Sequence, residues 1–175
     1  GTGNLKKDIL IENGEIYISK QDLGNFFDKY IYEDKDTEQI ITTYNKKIAE
    51  IGFDKNVVTI NGSEKTTYAH AIKKDDTIYL PISELKDVYD IEINNIESTK
   101  VLVIDSLSKE QRKAILNSNQ PVKSSTKFIA KTVDRVKKGE CVIVISNENG
   151  YAKIRTEDGK IGYVKSKKLA NEVVS

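Results

Sequence analysis

Shifted by 62 residues against itself, the first part of the chain realigns on its apolar and turn positions. Ile16-Tyr17-Ile18 falls on Ile78-Tyr79-Leu80, Leu23 on Leu85, and Phe27-Asp28 on Tyr89-Asp90. Without a gap, Ile31 then meets Ile93, Thr37 meets Thr99, and Ile40-Ile41 meets Leu102-Val103. Two copies are too few to stack as a solenoid, so the pattern predicts one domain built by duplication.

Each copy reads alike. Asn13-Gly14 and Asp75-Asp76 are turn signals placed before the short apolar strands Ile16–Ile18 and Ile78–Leu80. A helix follows in the first copy, where Ser19 and Asp22 have capping-box spacing and Leu23, Phe26, Phe27 and Tyr30 share a face. In the second copy Pro81 suits a first helical turn, and Leu85, Val88 and Tyr89 supply the apolar face. Strands then recur at Ile31 or Ile91–Ile93, and at Gln39–Tyr44 or Lys100–Asp105. Between the copies Lys47–Ile51 and Asn56–Ile60 read as a hairpin, with Asn61-Gly62 as a tight turn. Strand, helix and strand in duplicate make the expected class α+β.

Charge divides the chain. Residues 1–120 carry 16 basic and 21 acidic side chains, whereas residues 121–175 carry 12 and 6. Two modules are therefore expected within the 175 residues. Ser108 and Gln111 again have capping spacing, so a helix is predicted over 108–117, and Asn117–Pro121 reads as a linker. The basic charge of the second part suits a polyanion in principle, but a scattered Lys-rich surface reads as plain solubility, and no nucleic acid is expected. No apolar run approaches the roughly 20 residues of a membrane-spanning helix. One Cys and one His leave no disulfide within the chain, no structural zinc site and no centre with two histidines. With 25 Lys against 3 Arg, 23 Ile and 13 Asn, the composition suggests a low-GC bacterium.

Several blocks of the first module resemble a known family. Val57-Val58-Thr59-Ile60-Asn61-Gly62, Ile78-Tyr79-Leu80-Pro81-Ile82-Ser83-Glu84-Leu85, Ile91-Glu92-Ile93 and Thr99-Lys100-Val101-Leu102-Val103-Ile104 are similar to the copper amine oxidase N-terminal-like domain. The resemblance is best over 57–105 and extends through the repeat to 9–44. It implies secreted and surface proteins of Gram-positive bacteria. It implies no copper in this segment, because that family's metal ligands and Tyr-derived cofactor lie in another domain.

From Val122 onward the pattern is all-β. Cys141–Ile145 is an apolar run, Tyr151–Arg155 alternates, and Glu157-Asp158-Gly159-Lys160 is a hairpin turn before Ile161–Val164. Five short strands in about 50 residues suit a small barrel. Val136–Glu140, Asn149–Arg155, Asp158–Val164 and Leu169 resemble, in order and spacing, a bacterial SH3-like domain over 122–170. Tyr151 and Tyr163 stand where that family usually has Trp, and its N-terminal signature survives only as Pro121-Val122-Lys123.

The chemistry-bearing residues point away from catalysis. His70 sits in Tyr68–Ile72, read as a strand, with no nucleophile motif around it. Cys141 reads as a buried small hydrophobe. Glu33–Glu38 begins like a calcium loop but has Gln39 at the loop's sixth position and Asn45 at its twelfth, where a turn glycine and a closing Glu would stand, so a solvated acidic turn is expected. Asn61-Gly62-Ser63 fits a glycosylation pattern that its turn role already explains. Tyr151, Arg155, Tyr163 and Lys165 form the candidate ligand-binding set, since rings beside cations on a barrel face suit a wall peptide or glycan. Packing of the same rings inside the barrel is the competing reading.

The expected organisation is thus a copper amine oxidase N-terminal-like domain over 1–106, a helix and linker over 107–121, and an SH3-like barrel over 122–175. The expected function is a non-catalytic, cell-wall-binding segment of a larger secreted or surface protein, with peptidoglycan or another wall polymer as partner and a covalently linked hydrolase domain elsewhere. No cofactor, metal or catalytic residue is expected. A structural spacer without a ligand is the first alternative, and a wall glycan or peptide hydrolase using some of the 27 carboxylates is the second.

Overall fold

A computed structural model describes residues 2–175; Gly1 lies outside them. The chain divides into two compact units, Gly1–Ile91 and Glu92–Ser175.

The first unit is made of antiparallel hairpins. Strands β1 (Leu10–Glu12) and β2 (Glu15–Ser19) lead into helix α1 (Lys20–Phe26). As the capping spacing predicts, the Ser19 hydroxyl accepts the Asp22 N–H at 3.0 Å and starts the helix. Next come β3 (Tyr32–Asp34), β4 (Gln39–Thr42), β5 (Ala49–Gly52), β6 (Val57–Ile60) and β7 (Ser63–Thr66), a five-stranded meander in chain order. The predicted hairpin between the copies is β5–β6, with Ile51 opposite Val58. Strands β8 (Ile72–Lys74) and β9 (Thr77–Pro81) complete a second sheet, ordered β1-β2-β9-β8. There Ile18 stands opposite Leu80, with Tyr17 opposite Pro81 and Ser19 opposite Tyr79. A 3-10 turn, Ile82–Leu85, runs into the single-turn helix α2 (Lys86–Tyr89). Ile18, Leu23, Ile40, Val58, Leu80, Ile82, Val88 and Tyr89 are buried and form much of this core.

Three of these hairpins close with one device. Asn13-Gly14, Asn61-Gly62 and Asp75-Asp76 are two-residue loops whose residues all have positive φ, between 49° and 82°. That is the turn whose twist matches paired strands, and it explains why Asn, Asp and Gly recur there.

The second unit opens with a two-stranded ladder, β10 (Ile91–Ile96) and β11 (Val101–Ser106). It continues through β12 (Arg112–Leu116), β13 (Gln120–Lys123), β14 (Thr132–Val136), β15 (Cys141–Glu148), β16 (Tyr151–Arg155), β17 (Ile161–Lys165) and β18 (Leu169–Val174). These seven form one antiparallel sheet, ordered β14-β13-β17-β16-β15-β12-β18. Laid flat, its outer strands would lie about 29 Å apart at the usual strand spacing. Yet Val136 of β14 and Leu169 of β18 pack on the same core as Ala114, Leu116, Val122, Val142, Val144, Ala152, Ile154 and Val164. The sheet therefore curls around a single apolar interior.

Several expectations are corrected. The fold class is not α+β with a strand–helix–strand duplication: 49% of residues are in strands and 12% in helices, and the result is a multi-sheet β fold. The strands that follow the two helical segments also take different surroundings. β3 and β4 join a five-stranded sheet, whereas β10 and β11 pair only with each other. Helix α1 ends at Phe26, short of the predicted span to Tyr30, and of its predicted apolar face Leu23 is buried whereas Phe26 and Tyr30 are exposed.

The helix expected over 108–117 is instead a turn and the strand β12, and the linker expected over 117–121 runs into the start of β13. Ala114 and Leu116 alternate into the core while Leu107 is 65% exposed. Ladders to β15 on one side and β18 on the other satisfy this backbone, which outweighs the weak capping signal. Cys141, expected to be buried, is exposed, because Val142 and Val144 take the inward positions of β15.

Candidate functional site

The β16–β17 hairpin fixes the candidate binding residues by strand alternation. Tyr151 pairs with Lys165, Lys153 with Tyr163, and Arg155 with Ile161. Directly opposed residues share a face, so these six side chains stand on one side of the hairpin. Ala152, Ile154, Gly162 and Val164 are buried on the other. Tyr151 and Tyr163 are half-buried, and Lys165 is exposed. The four candidate residues thus share one outward face, and Lys153 joins them.

Arg155 has a partner that local pattern does not reveal. Its guanidinium makes two parallel bonds to the Asp105 carboxylate, at 2.9 and 3.0 Å. The pair is only partly exposed and is worth on the order of 1 kcal/mol. It ties β11 to the curled sheet, as does Thr99 Oγ1, which donates to the Asp158 carbonyl at 2.7 Å.

A cleft of about 520 Å³, part polar and part apolar through Leu169 and Ala170, adjoins this face along the chain. Asn147, Glu148, Asn149, Ser166, Asn171 and Glu172 line it. Gly150 precedes Tyr151 and Ser166 follows Lys165, and the Ser166 N–H donates to the Gly150 carbonyl at 2.9 Å. The cleft offers amides, carboxylates and a hydroxyl, the groups that bind sugar hydroxyls or peptide bonds.

In the first unit two carboxyl arrangements stand out. Asp28 is fully buried: Tyr89 Oη donates to its Oδ2 at 2.8 Å, the Thr42 hydroxyl donates to the same oxygen, and the Tyr30 N–H donates to Oδ1 at 3.0 Å. Burial, followed by the Asp28 charge, pushes the Tyr89 phenol far above its ordinary range. Phe27, Tyr44 and Tyr89 pack around one another with ring centroids 5.0–5.2 Å apart. The closed network is a structural lock.

Glu15 and Glu84 form the second arrangement, with Ser83 donating its hydroxyl to Glu15. Burial and then the hydrogen bond and charge of Glu15 raise the Glu84 carboxyl above its ordinary 4.5; the Tyr68 N–H and Lys65 oppose that rise. Glu15 thus acts on Glu84 as a neighbouring carboxylate that favours its protonated form. A group of this kind binds more protons folded than unfolded, so its contribution is present at low pH and declines as pH rises from 4.5 through the raised value. Glu84→Gln is expected to remove that decline. Thermal unfolding between pH 4 and 8 checks it, and an unchanged pH profile would contradict the pairing.

The remaining sequence candidates stay apart. His70 lies in the loop before β8 rather than in a strand, and its Nδ1 donates to the Ala71 carbonyl at 2.7 Å. Cys141 belongs to the other unit. Glu33–Glu38 is the β3–β4 turn, where Asp34 Oδ1 accepts the Asp36 N–H. Asn61 spends its side-chain oxygen on the Ile48 N–H at 2.9 Å. Sequence reading missed the Asp105 and Glu15–Glu84 partners, since each joins residues at least 50 positions apart.

Comparison with known proteins gives one finding. The family model described as copper amine oxidase N-terminal domain matches residues 4–104, which reaches through most of β11. No curated protein and no solved structure matches the chain. The family's name carries copper, but the residues present do not fit it. The one imidazole is bonded to its neighbour's carbonyl, and among the described residues no three of His, Cys, Asp or Glu gather at one point. The matched domain is the non-catalytic N-terminal part of amine oxidases. Matched over more than half its length, this chain belongs to the copper amine oxidase N-terminal domain family.

Proposed function

We propose that the chain is a non-catalytic accessory segment of a larger secreted or surface-attached bacterial protein, and that residues 122–175 are an SH3-like module holding a cell-wall polymer. The observation that carries this reading is the outward face of β16–β17, where Tyr151 and Tyr163 sit among Lys153 and Lys165 with no core role for their exposed sides. Half-buried rings offer flat apolar platforms to a glycan or peptide, and the lysines suit its carboxylates or phosphates. The adjoining cleft adds hydrogen-bonding groups to the same stretch of chain. A hydrolase domain linked to this segment would act on the polymer that the module holds.

Sedimentation with purified peptidoglycan sacculi tests the reading. Retention is expected at about 150 mM salt, where charge attraction alone is screened beyond roughly 8 Å. Tyr151→Ala with Tyr163→Ala is expected to weaken it about tenfold, at about 0.5–1.5 kcal/mol per ring. Absence of retention, or its loss on modest addition of salt, would overturn it. The spacer reading has its own support in Arg155, whose guanidinium is committed to Asp105. It expects no retention and an unchanged Tyr151/Tyr163 variant.

A further inference from the structure

The loop joining β13 to β14 presents two large apolar side chains to water. Phe128 is 103% and Ile129 86% exposed, the extremes among the large hydrophobic residues of the second unit. The loop is nonetheless closed and ordered by its own backbone. The Ser124 N–H donates to the Lys131 carbonyl at 2.8 Å, the Ala130 N–H to the Lys127 carbonyl at 3.0 Å, and the Lys127 N–H to Ser125 Oγ at 3.2 Å. Lys123 anchors the base by donating to Thr132 Oγ1 at 3.0 Å. Lys127 and Lys131 flank the tip and are exposed, and no acidic residue lies between Pro121 and Val133. Holding a Phe and an Ile together in water forgoes burial free energy that neither ring nor chain recovers elsewhere in the unit.

From this geometry we propose that the Phe128-Ile129 tip is a docking element for an anionic lipid surface. The tip is two adjacent, exposed residues, which suits shallow insertion at the headgroup boundary. An aromatic ring is favoured at that depth, and flanking lysines remain among anionic headgroups on long apolar stems. Each lysine near such a surface strengthens binding about fivefold. The uninterrupted positive charge of the loop selects anionic over neutral lipid. The proposal uses none of the β16–β17 face and stands independently of polymer binding.

The test is co-sedimentation of the full chain with vesicles of phosphatidylglycerol and phosphatidylcholine in equal parts, and of phosphatidylcholine alone. Binding is expected to the anionic vesicles and not to the neutral ones. Phe128→Ser with Ile129→Ser is expected to reduce it at least tenfold, and Lys127→Gln with Lys131→Gln by a similar factor. Both pairs are exposed, so unchanged thermal unfolding serves as the folding control. Equal binding by the serine variant would reduce the effect to charge alone and overturn the proposal, as would absence of binding. Self-association lost in the serine variant, without vesicle binding, would assign the tip to contact between copies and overturn it equally.

Discussion

Asp28→Ala is expected to cost the first unit about 3–5 kcal/mol, most of the stability of an ordinary small domain. The carboxylate is fully buried and takes hydrogen bonds from Tyr89, Thr42 and the Tyr30 N–H. Removing it leaves the buried Tyr89 and Thr42 hydroxyls without an acceptor, at roughly 1–3 kcal/mol each, and adds a small void. Asp28→Asn keeps one oxygen and should cost less, about 1–2 kcal/mol. Tyr89→Phe removes one donor and leaves the carboxylate short of a partner, so it should fall between the two. Urea unfolding followed by circular dichroism checks the order. A loss below about 1 kcal/mol for the alanine variant would mean that the network is not the lock described.

Gly162→Ala should be the most damaging single methyl in the second unit. Gly162 lies on the buried side of β17, and a Cβ there would stand 2.6 Å from the Lys123 carbonyl oxygen and 2.6 Å from Val122 Cγ1. A side chain can turn aside, but a strand's carbonyl oxygen can move only if β13 moves. β13 meets β17 through the single pair Lys123–Tyr163, and β14 is joined to the sheet through β13. Pushing β13 outward therefore opens one side of the curled core, where Val122 and Val136 are buried. The expected cost is about 3 kcal/mol, the upper end for overpacking. Faster amide exchange at Val122, Lys123 and Val136, with β15 and β16 little changed, would locate it. Uniform acceleration throughout the unit, or none, would contradict this account of the seam.

The turns were the most legible part of the sequence. Asn13-Gly14, Asn61-Gly62 and Asp75-Asp76 each adopt the conformation their residue types demand, because positive φ is a local requirement that few side chains meet. The Ser19 cap was equally local and equally readable. Segment 107–121 misled because its capping spacing and apolar positions fit a helix, while the deciding fact, strands on both sides of β12, lies far away in sequence. The α+β class failed for a related reason: apolar helical spacing at Leu23, Phe26 and Phe27 predicted a longer helix than the neighbouring strands leave room to bury. On β16–β17, period-two alternation put the candidate residues on one face. The commitment of Arg155 to Asp105 and the exposed Phe128-Ile129 tip needed the tertiary fold to be seen.

Polymer holding by the β16–β17 face is tested most directly by amide chemical-shift mapping of the isotope-labelled chain against soluble peptidoglycan fragments. Saturable shifts are expected at Tyr151, Lys153, Tyr163 and Lys165 and at the cleft residues Asn149 and Ser166, with the Asp28 network unmoved. They should persist at about 150 mM salt. Shifts confined to the first unit, or none anywhere at millimolar fragment, would contradict binding at this face.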